Sequence, residues 1–108
     1  MKTLVVKFGI VIFILLFSFS FSSCNKDTEP PVITILGDNP ISVCEDFEYL
    51  DAGATAHDNE DGDVTSKIET NSNVNPSAVG TYRVTYTVKD EAGNEAIAQR
   101  EVEVIYCK

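Results

Sequence analysis

Hydrophobic and polar residues alternate along several short segments of the chain. The clearest is TYRVTYTVK, residues 81–89, in which apolar or aromatic residues occupy one face and Thr, Arg and Lys residues the other. Strict alternation of this kind predicts a β-strand with one buried face. The buried row consists of Tyr82, Val84, Tyr86 and Val88.

A last strand is predicted over about Glu95–Tyr106, where Val102, Val104 and Tyr106 are in phase. Arg100 shares this buried phase, and a buried guanidinium group needs compensation for its lost hydration. The pattern is compatible with a β-bulge near Arg100 or with a buried carboxylate partner, and it does not distinguish the two.

The remaining segments are short, β-rich and separated by Gly, Pro, Asn and Asp residues, and none shows a convincing helical period. The chain is therefore predicted to be an all-β domain, a sandwich or a barrel of short strands. The other predicted strands are 31–36, 41–44, 47–56 with a kink at 51–53, 65–70, and a short one around Val74.

The first 23 residues differ in character from the rest. Lys2 and Lys7 precede an uninterrupted apolar run, Phe8–Phe17, which is followed by small residues. This order predicts a secretory signal peptide over residues 1–23 that is removed from the mature protein. The run has ten residues, whereas a membrane-spanning helix needs about 20, so a short membrane anchor is only the alternative.

The predicted cleavage site, Phe21-Ser22-Ser23-Cys24, resembles a bacterial lipobox. Cys24 is therefore the predicted lipidation site, with a secreted soluble form as the alternative. Residues 24–30 are predicted to be an acidic tether and residues 31–106 the folded domain. The run Cys24–Glu29 resembles a short export signal of surface lipoproteins. It predicts an outer-membrane lipoprotein of a Gram-negative bacterium, attached to the membrane by its lipid and exposed at the cell surface.

The predicted mature chain of 85 residues carries 17 acidic and six basic side chains, a net charge of −11. Its length permits one small domain, in which core burial alone gives modest stability. The negative charge repels nucleic acid and attracts cations, so nucleic acid is excluded as a partner.

Cys44 and Cys107 are the two cysteines that remain after Cys24. An even pair in a small exported domain predicts a disulfide bond, which stabilises the fold by closing a loop of about 60 residues. Both residues lie out of phase with the apolar rows of their strands. Both thiols therefore project from the same side of a sheet if the two strands are neighbours.

Three blocks of sequence together resemble a known family. The blocks TEPPVITILGDNPISV, EYLDAGATAHDNEDGDVTSKI and VGTYRVTYTVKDEAGNEAIAQREVEV occur in order, and the resemblance covers residues 29–105. They resemble the bacterial immunoglobulin-like surface domain of unknown function, relatives of which also occur in pesticidal crystal proteins. They are also similar to hyaline-repeat adhesion modules. The resemblance implies an immunoglobulin-like β-sandwich of about seven strands, usually in tandem copies. This chain departs from that pattern by its single copy and its two cysteines.

The segment AHDNEDGDVT, residues 56–65, is the most acidic part of the chain. Hard cations such as calcium prefer several carboxylate or carbonyl oxygens that converge from a loop. In a sandwich this loop and the hairpin after residue 89 lie at the end where the chain enters, near Asp27, Glu29 and Asn94. No cofactor is required, but calcium is a candidate, and the alternative is that these residues simply form a turn. The predicted calcium ligands are Asp58, Asp61, Asp63 and Asp90.

Catalysis is not expected, because His57 is the only histidine and a small sandwich leaves little room for a substrate cleft. The mature chain also lacks Trp, the usual platform for sugars. The chain is thus predicted to be a lipid-anchored structural, adhesion or ligand-binding module for an unknown protein or glycan. The alternatives are a calcium-dependent binding module and a periplasmic accessory or inhibitor subunit.

Overall fold

Seven strands and one turn of 3₁₀ helix follow one another in the computed structural model, which describes residues 26–108. The 3₁₀ turn, Thr65–Lys67, lies between the fourth and fifth strands. The strands are β1 Val32–Ile35, β2 Ile41–Cys44, β3 Ala54–Asp58, β4 Gly62–Asp63, β5 Glu69–Ser72, β6 Gly80–Lys89 and β7 Glu95–Ile105.

The strands form two sheets that enclose the core between them. One sheet has the order β1-β3-β4, and the other has the order β2-β7-β6-β5. All pairs are antiparallel except β2 and β7, which run parallel with Cys44 opposite Ile105. The chain thus changes sheets between β1 and β2. This architecture is the immunoglobulin-like β-sandwich that the sequence predicted.

The alternation of β6 and β7 is the basis of the core. Val84, Tyr86 and Val88 of β6 are buried, as predicted, and so are Val102 and Val104 of β7. The apolar side chains of the opposite sheet and the connecting segments pack against these rows. Partly buried members of the core include Ile33, Ile35, Ile41, Val43, Tyr49, Ala54 and Ile68.

Two predicted strands are corrected by the structure. Residues 47–53 contain no strand, because the side chains of Tyr49 and Asp51 bond to each other and Asp51 turns towards β7. Residues 65–67 form the 3₁₀ turn instead of a strand. There the hydroxyl group of Thr65 contacts both the N–H (3.0 Å) and the carbonyl oxygen (3.3 Å) of Ala56. These side-chain hydrogen bonds take the place of ladder hydrogen bonds in the two segments.

Two smaller differences concern single residues. Val74 is partly buried and packs against the core, but it does not belong to a strand. Tyr106 was predicted to share the buried phase of Val102 and Val104, and it is 72% exposed instead. The reason is that β7 ends at Ile105, so that Tyr106 lies beyond the sandwich.

Arg100 is buried without a bulge, since β6 and β7 pair in unbroken register from Gly80 opposite Val104 to Lys89 opposite Glu95. Its side chain is 1% exposed, and its Nε donates to Oδ1 of Asp51 at 3.0 Å. Of the two interpretations that the sequence left open, the carboxylate partner is therefore the correct one, and its side chain is partly buried.

The other donors of Arg100 bind backbone carbonyl groups of the crossing between β1 and β2 and of the residue that precedes β3. Nη2 donates to Leu36 O at 2.6 Å and to Gly53 O at 3.1 Å, and Nη1 donates to Asp38 O. Asp51 in turn accepts hydrogen bonds from both Tyr49 and Tyr86. A fully compensated ion pair thus connects the two sheets.

The disulfide bond predicted between Cys44 and Cys107 is present, with 5.4 Å between the two Cα atoms. It joins the end of β2 to the segment after β7, the two strands that pair in parallel. The predicted signal peptide and Cys24 lie outside the described residues. Within residues 26–108, no helix has the length and apolar character to cross a membrane.

We expect Arg100→Met to lower the free energy of unfolding by about 3–5 kcal/mol, because it leaves the carboxylate of Asp51 without its cation. Urea unfolding of the oxidised protein measures this loss. Arg83→Met is the matched control, because Arg83 pairs with Glu101 at 3.8 Å on the exposed face. Its loss should stay below about 1 kcal/mol. Equal losses in the two variants would contradict a central role for Arg100.

We also expect the stability of the domain to fall at alkaline pH through two tyrosines. Burial, and then hydrogen bonding to Asp51, raise the pKa of Tyr49 and Tyr86 above the ordinary value of 10.0. Because the folded-state pKa is the higher one, the stabilisation is complete below about pH 10 and is lost as the pH rises through the folded-state values.

Urea unfolding at a series of alkaline pH values measures this dependence. The slope of unfolding free energy against pH should be shallower in Tyr49→Phe than in the wild type, because one linked ionisation is removed. The same slope in both proteins would rule out a contribution from Tyr49.

Candidate functional site

The inward-facing rows of two facing strands end in an aspartate at the same end of the sandwich. Along β3, Ala56 is buried and Asp58 follows it in phase, as the last residue of the strand. Along β6, Val88 is buried and Asp90 follows in phase, directly after the strand. The two-residue period of a strand therefore aims both carboxylates between the sheets.

A third carboxylate comes from the tether. Asn94, at the end of the β6–β7 hairpin, donates through Nδ2 to Asp27 O at 2.9 Å and to Glu29 O at 3.3 Å. The same amide donates to Oδ2 of Asp90 at 2.9 Å. Asn94 thus holds the tether against the domain and brings Asp27 beside Asp90.

Carboxylate oxygens of Asp27, Asp58 and Asp90 lie within 4.8 Å of one another, and we call these three residues the aspartate cluster. Asp58 is completely buried and Asp90 is 5% exposed, while Asp27 is partly buried. Three carboxyl groups are therefore held close together with little access to water.

The hydrogen bonds of the aspartate cluster are incomplete. Oδ2 of Asp58 accepts the N–H groups of Glu60 at 2.9 Å and Asp61 at 3.0 Å. Oδ1 of Asp27 accepts the N–H of Glu29 at 3.1 Å. Oδ1 of Asp58 and Oδ2 of Asp27 are buried and have no hydrogen-bond partner.

Asp90 is the one member of the cluster whose two carboxylate oxygens both accept hydrogen bonds, in each case from Asn94. Burial alone raises the pKa of Asp90, but hydrogen bonds from the side chain and the backbone N–H of Asn94 outweigh it. The pKa of Asp90 is consequently lower than the ordinary 3.8. Asp90 is therefore charged at neutral pH and faces two further acids.

The structure brings together only part of the predicted calcium-ligand set. Asp58 and Asp90 meet, whereas Asp61 and Asp63 lie outside the aspartate cluster. Asp61 accepts the N–H of Glu91 at 2.7 Å, which ties the acidic loop to the hairpin. Asp63 accepts the N–H of Thr65 at 2.9 Å. Hydrogen bonds from Thr65 and the charge of His57 keep the pKa of Asp63 below its ordinary value.

The surface beside the aspartate cluster is an open acidic groove. Its charged lining consists of one base, Lys26, and five acids: Asp27, Glu29, Glu60, Asp61 and Glu91. A groove lined by one sign of charge raises the local concentration of the opposite ion. Cations are therefore drawn to this end of the domain.

The opposite end of the sandwich has a different character. The N–H of Phe47 donates to Cys44 O at 3.3 Å, and Cys44 lies opposite Ile105, which precedes Tyr106. Phe47 is 68% and Tyr106 is 72% exposed, so two aromatic rings project at this end. Since β7 spans 11 residues, about 33 Å separates them from the tether.

Comparison with known proteins identifies a related family. Residues 33–104 match the family model described as a bacterial surface protein, Ig-like domain. No curated protein matches the chain.

Several solved structures share the fold. A lipoprotein from Bacteroides thetaiotaomicron superposes with a TM-score of 0.62 and 22% identity, over 72% of this chain and 39% of that one. A second match is the structure of CBM51-2 in complex with GlcNAc and INT domains from Clostridium perfringens ZmpB. It has a TM-score of 0.56 and 30% identity, over 71% of this chain and 17% of that one.

A third structure, the M60 catalytic domain with CBM51-1 and CBM51-2 of the same ZmpB, has a TM-score of 0.58 and 29% identity. The alignment covers 73% of this chain and 8% of that one. This chain therefore spans less than half the length of each of these structures.

Proposed function

The chain belongs to the family of bacterial surface proteins with an Ig-like domain, and on this premise we propose that it is a non-catalytic, lipid-anchored binding module at the cell surface. Its tethered end faces the membrane, and its opposite end binds a glycan. The observation that carries the proposal is the placement of the tether and of the exposed aromatic rings at opposite ends of β7.

The anchoring part of the proposal rests on the path of the tether. Asn94 holds the carbonyl groups of Asp27 and Glu29 at one end of the domain, and Asp27 is only three residues after Cys24. A lipid on Cys24 therefore brings this end towards the bilayer. More than one acyl chain gives stable attachment, whereas one chain alone binds only marginally.

The binding part rests on Phe47 and Tyr106. Exposed aromatic rings offer rigid apolar area, and Tyr106 adds a hydroxyl group that can donate or accept a hydrogen bond. Faces of this kind suit sugar rings as well as protein hot spots. We favour a glycan because the solved structures similar to this chain include one with GlcNAc and carbohydrate-binding modules. A protein ligand is the alternative outcome.

Lipid anchoring is tested with Cys24→Ser in intact cells. We expect the wild type to fractionate with the outer membrane and to be digested by protease added to intact cells. The variant should leave the membrane fraction, because the thiol that carries the lipid is missing. Ser22→Ala, which keeps the thiol, is the control and should behave as the wild type. Wild-type protein protected until the outer membrane is breached would instead favour the periplasmic accessory or inhibitor role.

Ligand binding is tested with the double variant Phe47→Ala/Tyr106→Ala on a glycan array and on host-cell surfaces. We expect binding to fall at least about tenfold, the effect of losing about 1.4 kcal/mol or more of contact energy. Ile97→Ala is the matched control, because Ile97 is 61% exposed but lies near the tethered end of β7. Unchanged binding in the double variant would remove the aromatic end from the proposal.

A further inference from the structure

We propose that the aspartate cluster holds one calcium ion that fastens the tether to both sheets. Asp58 contributes from the end of β3, Asp90 from the end of β6, and Asp27 from the tether. The ion would thus be a common partner of three segments, of which Asn94 joins only the tether and the hairpin.

An unpartnered buried oxygen points to the ligand. Asp58 is completely buried and its Oδ1 has no hydrogen-bond donor, while a carboxylate oxygen of Asp58 lies within 4.8 Å of one from each of the other two aspartates. Oδ2 of Asp27 is likewise buried and has no hydrogen-bond donor. A buried carboxylate oxygen without a donor is strongly disfavoured unless a cation or a proton compensates it. Both orphaned oxygens belong to the same cluster, so one ion can satisfy both.

The spacing of the oxygens suits calcium. Two oxygens bound to one calcium ion lie no more than about 5 Å apart, twice the bond length of 2.3–2.6 Å. The three carboxylate oxygens meet this condition, at 4.8 Å or less. Magnesium requires near-ideal octahedral geometry and shorter bonds, which three loosely spaced carboxylates do not provide. Water from the acidic groove can complete the coordination of calcium.

The charge of the cluster is not compensated by the described part of the protein. The salt bridges among residues 26–108 are Lys67 with Glu91, Arg83 with Glu101, and Arg100 with Asp51. None of them includes a member of the aspartate cluster. The donors that reach the cluster are the neutral groups of Asn94 and of the backbone.

The consequence of binding is a fixed orientation of the domain on its tether. With the ion in place, Asp27 is held to both sheets, and the chain leaves the domain in one direction towards Cys24. This consequence rests on the proposed lipid anchor, but calcium binding itself does not. Calcium binding is measured in solution and anchoring in cells, so the failure of one can be told from the failure of the other.

The test is thermal unfolding and calorimetric titration of the purified chain in chelator, in calcium and in magnesium. At calcium a hundredfold above its dissociation constant, we expect the melting temperature to rise by about 10–20 °C over that in chelator. Magnesium at the same concentration should give a much smaller rise. No rise with calcium would overturn the proposal and leave a shared proton as the compensation, and an equal rise with magnesium would overturn the choice of calcium.

Variants assign the ion to the cluster. Asp58→Asn keeps the shape of the side chain and should abolish the response to calcium. Asp27 lies outside the core, so Asp27→Asn does not disrupt the packing on which folding depends. The variant should weaken calcium binding at least about tenfold. Asp63→Asn is the matched control, because Asp63 lies in the same acidic loop but outside the cluster, and its response should equal that of the wild type. A full response in Asp27→Asn, or its loss in Asp63→Asn, would place the ion elsewhere.

Discussion

The buried ion pair between Arg100 and Asp51 is the interaction on which the rest of the sandwich depends. A guanidinium group that is 1% exposed requires partners for nearly all its donors, and here they come from Asp51 and from carbonyl groups of the segments that follow β1 and precede β3. The carbonyl groups of Leu36 and Asp38 fix the crossing of the chain from β1 to β2. The pair therefore determines where two sheets meet, as well as contributing to stability.

Period-two patterns predicted most of the fold, because burial on one face is a local property that each strand carries in its own residues. The bounds of β2, β6 and β7 follow from it, and so does the isolation of Arg100 within an apolar row. Residues 47–53 were predicted wrongly for a long-range reason. Asp51 accepts hydrogen bonds from Arg100, 49 residues away, and from Tyr86. These bonds prevent the segment from pairing as a strand. No local pattern contains that partner.

The candidate site shows the same division between local and long-range information. The alternation of β3 and β6 could have separated Asp58 and Asp90, which are in phase with buried residues, from Asp61 and Asp63, which are not. The position of Asp27 near this end was expected, but its contact with the other two depends on Asn94, which binds the tether across 67 residues. The path of a tether depends on such single contacts.

The partly and fully buried carboxylates of this domain differ in how far protein groups compensate them. Asp51 accepts hydrogen bonds from two tyrosines, from the N–H of Gly53 and from a guanidinium group, so that both of its oxygens are satisfied. In the aspartate cluster, three carboxyl groups share neutral donors, and two of their oxygens have none. The charge of Asp51 is compensated within the chain, because its cation is Arg100. At the cluster, no salt bridge among residues 26–108 includes any of the three carboxyl groups, and the acidic groove beside them attracts cations.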